Sequence, residues 1–158
     1  MPDAPELKHQ QLQYQKLAYQ DSYIRTILQN TKTIALVGAS NKPHRASYQV
    51  MGFLQNKKYR VIPVNPKLAG SELLGETVYA SLSAIPDAID MVDIFRNSAA
   101  AGLIVEEAIQ ISPKVIWMQL DVINSEAAKK ADEAHIQVIM DRCPKIEYVR
   151  LGMQLLPW

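Results

Sequence analysis

The sequence predicts an α/β domain, an open and mainly parallel sheet doubly wound by helices on both faces. Two patterns carry that expectation. Short apolar, β-branched runs alternate along the chain with stretches of helical spacing. Those runs are continuous rather than alternating, as in strands buried on both faces. Size sets the rest: 158 residues at 48% hydrophobic content suffice for one domain with a sizeable core.

Residues 1–20 are rich in Gln and Tyr and read as an N-terminal extension, whose 8–20 portion is compatible with a helix. The domain proper is expected over 21–158. Asp21 is positioned to cap a helix whose Tyr23, Ile24, Ile27 and Leu28 form one apolar face. Thr33–Val37 is the first strand, Ser47–Lys57 a helix through Val50, Met51 and Leu54, and Arg60–Val64 the second strand. The segment from Lys67 to Pro86 carries Gly70 and Gly75 and reads as mostly loop, with a short strand near Thr77–Tyr79. Asp90–Phe95 is the next strand, followed by a helix over Ser98–Ile111. A strand at Val115–Met118, a helix at Asn124–Ala134 and a last strand at Ile136–Met140 continue the alternation. Pro144–Trp158 predicts a short helix and then a tail packed across the body. No repeat or low-complexity linker divides the chain.

The stretch TIALVGASNKPHRASYQV, Thr33 to Val50, carries the chemistry. In such sheets ligands sit beyond the carboxyl ends of the strands, where strand order reverses. Gly38 permits a tight turn through Ala39 and Ser40. The helix that follows offers amide N–H groups and a positive dipole end, which suit a pyrophosphate. Ser40 and Ser47 add hydroxyls, Lys42 and Arg45 add charge, and Pro43 holds the loop in one shape. At the end of the second strand an NAD site usually places a carboxylate for the ribose. Here stand Asn65, Pro66 and Lys67. A cation at that corner suits a phosphorylated ribose, either the 2′-phosphate of NADP or the 3′-phosphate of coenzyme A.

At these residues a family resemblance enters. IALVGASNKPHRASYQV, YRVIPVNPK, GETVYASLSAIPDAIDMVDIFR, VIWMQL and VIMDRCPKIEYVRL occur in the order found in the small stand-alone coenzyme A-binding proteins. That domain is similar to the nucleotide-binding domain of the succinyl-CoA synthetase α-subunit, and the likeness covers roughly Tyr23 to Leu151. It implies a Rossmann-like fold holding CoA or an acyl-CoA at the first turn. Gly38, Ser40, Lys42 and Arg45 would face the phosphates, and Asn65, Pro66 and Lys67 the adenosine end. Phe95 and Arg96 would edge the cleft, with Trp117, Met118 and Gln119 closing its far side near the pantetheine arm. The family usually has glycine where this chain has Asp121 and His135, and NSAAAG at 97–102 lacks the proline often found there.

Other candidates read as structural. A net charge of +1 gives no global field for nucleic acid or anionic membrane, and no apolar run is long enough to span a bilayer. The start lacks a signal peptide's apolar region. The only cysteine, Cys143, suits a reducing cytoplasm, and with three scattered histidines it gives no zinc spacing. Its place beside Arg142 would allow a mixed disulfide with CoA, but a buried structural thiol is the commoner outcome. Asp90 and Asp93 read as structural, and Asp141 with Arg142 as a loop anchor. His44 could touch phosphate or face solvent; His9 carries little information. No Ser–His–Asp order with a nucleophile elbow is present. Tyr14, Tyr19, Trp117 and Trp158 form no stripe with basic residues for single-stranded nucleic acid. The phosphorylated histidine of the resembled ligase belongs to a second domain outside this sequence. The expected activity is therefore binding without evident catalysis, as a carrier, sensor or partner subunit. An NADP-dependent oxidoreductase and a ligase-like subunit needing a partner chain are the rivals, and a homodimer or unidentified protein partner stays open.

Overall fold

A computed structural model describes residues 18–153. Helix α1 (Asp21–Asn30) leads into strand β1 (Thr33–Val37), helix α2 (Ala46–Asn56) and strand β2 (Arg60–Val64). A 3-10 turn at Pro66–Leu68, a hairpin of β3 (Glu72–Leu73) and β4 (Glu76–Thr77), and a second 3-10 turn at Leu82–Ala84 follow. Strand β5 (Met91–Ile94), helix α3 (Ser98–Gln110), strand β6 (Val115–Met118), helix α4 (Ser125–Glu133), strand β7 (Gln137–Ile139) and helix α5 (Pro144–Arg150) complete the described chain.

The main sheet has the order β2-β1-β5-β6-β7 and every pairing in it is parallel. The short β3–β4 hairpin is antiparallel and separate. This is the doubly wound α/β fold that the alternation predicts. Helices α1, α2 and α5 cover one face, burying Ile24, Leu28, Met51, Leu54 and Tyr148 against Ile34, Leu36 and Trp117. On the other face α3 and α4 bury Ala101, Val105, Ala108, Ala127 and Ala131 over Val92, Ile94 and Met118. The alanines let those two helices lie close to the sheet. Each large aliphatic side chain so buried contributes about 1.5–3 kcal/mol.

Most expected elements sit within a residue or two of their predicted limits. The strand expected at Thr77–Tyr79 resolves into β4 plus a single parallel bridge between Val64 and Tyr79. Asp21 is the first residue of α1 rather than its cap; Gln20 holds that position, without a side-chain hydrogen bond. The helix expected over 8–20 and the tail beyond Met153 fall wholly or largely outside the described residues. None of the described helices is long and apolar enough to cross a membrane.

The two acidic residues near β5, one just before the strand and one inside it, have different surroundings. Asp90, just before the strand, accepts the Lys32 and Thr33 N–H groups at 3.0 Å each and pairs with Lys114. Those bonds hold its carboxyl below the usual range, against the opposing pull of its partial burial. Asp93 lies in register between Leu36 and Trp117, wholly buried, and burial pushes its carboxyl well above the usual range.

Strand β1 crosses over through α2 to β2 on one side, while β5 adjoins its other edge and leads away through α3. The order therefore reverses between β1 and β5, and the carboxyl ends of three strands open onto one crevice.

Candidate functional site

The crevice is built by backbone contacts around Gly38. Its φ is +90°, a region that L side chains rarely adopt, and an added Cβ would lie 2.2 Å from the Phe95 carbonyl oxygen. Glycine is thus required twice, by conformation and by space. The Gly38 and Ala39 N–H groups donate to the Val64 carbonyl at 3.1 and 3.3 Å, and Phe95 N–H donates to the Val37 carbonyl at 2.8 Å. The turn is thereby pinned to the ends of both neighbouring strands. Its first two amides are thus engaged within the fold.

Beyond that pin, Ser40 shapes the loop by accepting Lys42 N–H on its hydroxyl at 3.1 Å. Arg45 occupies the cap position of α2 without a side-chain cap bond, and the helix's first turn carries no acidic residue. The leading amides of any helix lack intrahelical acceptors, so this end presents donors and a positive dipole toward the crevice.

The resulting cleft has a volume of about 530 Å³. Gly38, Ala39, Ser40, Lys42, Arg45 and Ser47 line it from the first turn, and Asn65, Lys67 and Phe95 from the neighbouring strand ends. Three cations and no carboxylate face the space. Asn41, Ala46 and Leu68 also line it, although sequence reading passes over them. Leu68 follows Lys67 in the 3-10 turn and adds an apolar surface beside the cation. Its signal in the sequence was only its place after the second strand.

The remaining candidates lie elsewhere. Pro43 and Pro66 shape their loops without lining the cleft; the Pro43 carbonyl accepts Gln49 at 3.4 Å, and Pro66 opens the 3-10 turn. The Arg96 side chain lies beside the Gly38 turn, its Cδ 3.2 Å from where a Cβ would stand. Trp117 and Met118 do not form the far wall suggested for them. Both are fully buried, one in each core, because β6 is covered on both faces. The Trp117 indole donates to the Arg142 carbonyl at 2.8 Å, tying β6 to the start of α5. Gln119 is buried at the end of β6 and lines no part of the cleft. Cys143 is buried at the cap position of α5.

The family departures settle into local structure. Asp121 has φ +66° and its N–H donates to Asp141 at 2.8 Å, so the turn keeps its left-handed residue without glycine. His135, at φ +62°, ends the turn after α4, on the side of the sheet edge away from the cleft.

Comparison with known proteins accords with this geometry. The family model described as "CoA binding domain" matches residues 32–149. YneT of Bacillus subtilis (strain 168) is 38% identical over 125 residues, covering 79% of this chain and 91% of that one. A solved protein structure from Pyrococcus horikoshii OT3 superposes with a TM-score of 0.81 at 44% identity, covering 86% of this chain and 94% of that one. The α-subunit of acetate–CoA ligase (ADP-forming) I from Pyrococcus furiosus is 36% identical over 91 residues, which are 55% of this chain and 20% of that subunit. The chain thus spans about a fifth of that relative. The matched region contains the sheet, the Gly38 turn and the three cations of the cleft: the chain belongs to the CoA-binding domain family.

Proposed function

We propose that this protein binds coenzyme A or an acyl-CoA in the cleft at the switch point and acts by recognition, as a carrier, sensor or partner subunit. One observation carries the reading: Lys42, Arg45 and Lys67 face a single cleft with no carboxylate among its lining residues. CoA carries a diphosphate and a separate ribose 3′-phosphate, and this donor set has a place for each. Lys42, Arg45, Ser47 and the first amides of α2 would hold the diphosphate. Lys67 would meet the 3′-phosphate, with Leu68 offering an apolar surface beside it. Cytoplasmic residence belongs to the same reading, supported by a single, buried cysteine.

A second reading, a ligase-like subunit completed by a partner chain, draws on the likeness to the P. furiosus ligase subunit. It predicts co-purification with a partner that supplies the remaining domains.

Calorimetry with CoA, dephospho-CoA, NADP and NAD tests the proposal. CoA should bind most tightly and dephospho-CoA at least tenfold more weakly. Equal affinity for the two would remove Lys67 from the account. A clear preference for NADP would overturn the assignment.

A further inference from the structure

Sequence reading counts Asn65 among the ligand contacts, yet its side chain is engaged inside the protein at both ends. Nδ2 donates to the Ala39 carbonyl at 2.8 Å, and Oδ1 accepts the Lys67 N–H at 2.9 Å. The orientation of the amide is fixed by chemistry, because a carbonyl only accepts and an N–H only donates. The Asn65 backbone is held as well, its N–H donating to the Tyr79 carbonyl at 2.9 Å. One bond reaches the turn that leads to Lys42 and Arg45. The other caps the 3-10 turn that presents Lys67.

The two walls of the cleft come from different crossovers, one after β1 and one after β2. Gly38 and Ala39 N–H bind the Val64 carbonyl across the same seam. Asn65 is the side chain that spans it farther out, where the cations stand. We infer that Asn65 is a positioning residue, a two-ended brace that sets the separation between the Lys42/Arg45 wall and the Lys67 corner. It thereby matches the protein to a ligand whose diphosphate and ribose phosphate lie a fixed distance apart. The inference rests on the CoA reading of the cleft. It assigns no ligand contact to Asn65.

Two neutral variants separate the arms. Asn65→Ala removes both bonds. Asn65→Ser keeps an oxygen able to cap the 3-10 turn at Lys67 N–H, but is too short to reach the Ala39 carbonyl. Affinities for CoA and dephospho-CoA are measured by calorimetry for wild type, both variants and Lys67→Ala, with thermal unfolding alongside. Asn65→Ala should weaken CoA at least tenfold, and its CoA-to-dephospho-CoA ratio should fall toward that of Lys67→Ala. Asn65→Ser, which keeps the cap but loses the arm to Ala39, should weaken CoA more than dephospho-CoA, so that its ratio also falls toward that of Lys67→Ala. A purely structural role would lower the Tm and leave the ratio in place. Wild-type binding with an unchanged ratio in Asn65→Ala overturns the brace alone. Should wild type bind neither ligand, the CoA reading falls and the brace falls with it. If Asn65→Ala does not fold, the Asn65→Ser ratio decides: a fall toward the Lys67→Ala value supports the brace, and retention leaves Asn65 only a cap on the 3-10 turn and overturns it.

Discussion

Two helices begin on either side of the switch point, and they treat their exposed amides differently. Helix α3, after β5, is closed by its own sequence: the Asn97 side chain accepts the Ala100 N–H at 2.8 Å. Helix α2, after β1, has Arg45 at the corresponding position, no side-chain cap and no acid in the first turn. Among the described helices, α2 is alone in lacking both devices; α1 and α5 have an acid in the first turn, and α4 has the Asn124 cap. A capped end is worth about 1 kcal/mol to a helix. Leaving α2 open forgoes that stability and keeps its donors and dipole unengaged by side chains, as the proposed binding of an anion requires. Of the two helix starts at the switch point, one is thus satisfied by its own sequence and the other, in the proposed reading, takes the ligand's charge.

Gly38→Val should have the largest effect on the open helix start. The added side chain meets the Phe95 backbone and demands an unfavourable φ, so CoA binding should vanish. Strain alone costs about 1–3 kcal/mol, and the backbone clash adds to it, so thermal unfolding should also register a large loss. Retained affinity would show that the turn tolerates movement and that the ligand's charge is taken elsewhere.

Next in size is a pair of reciprocal changes. Lys42→Ala with Arg45→Ala should weaken CoA by about 2–4 kcal/mol, from charge-assisted bonds, and move stability by no more than about 0.5 kcal/mol, as exposed changes do. Asn97→Ala should do the reverse, losing about 1 kcal/mol of stability with its cap and leaving CoA affinity unchanged. Calorimetry and thermal unfolding on the same samples check both halves. If Asn97→Ala weakened CoA as much as the double variant, the distinction between the two helix starts would fail.

Much of this was legible in the sequence. Continuous apolar runs gave five parallel strands because parallel strands are buried on both faces, and the Gly38 turn stood out because glycine after a first strand has few other uses. What stayed hidden depended on pairings across sequence. That Val64 consumes the Gly38 and Ala39 amides follows from the β1–β2 register, which no local pattern displays. The engagement of Asn65 needed the distance to Ala39, a residue 26 positions away. Trp117 suggested a cleft wall because it lies near a strand end, yet the alternation of β6 turns it into the core beside Leu36 and Ile139. Asn41, Ala46 and Leu68 carried no chemistry conspicuous enough to single out, and only the course of the folded chain brings them to the cleft.

In the proposed binding mode the anionic ligand rests on the open end of α2. Backbone amide NMR during titration with CoA tests it most directly. The largest shifts should fall on Ser40, Asn41, Ala46 and Ser47, with Lys67 following and Ser98 to Ala100 nearly still. Shifts concentrated at the start of α3, or on the far edge around β7, would contradict it.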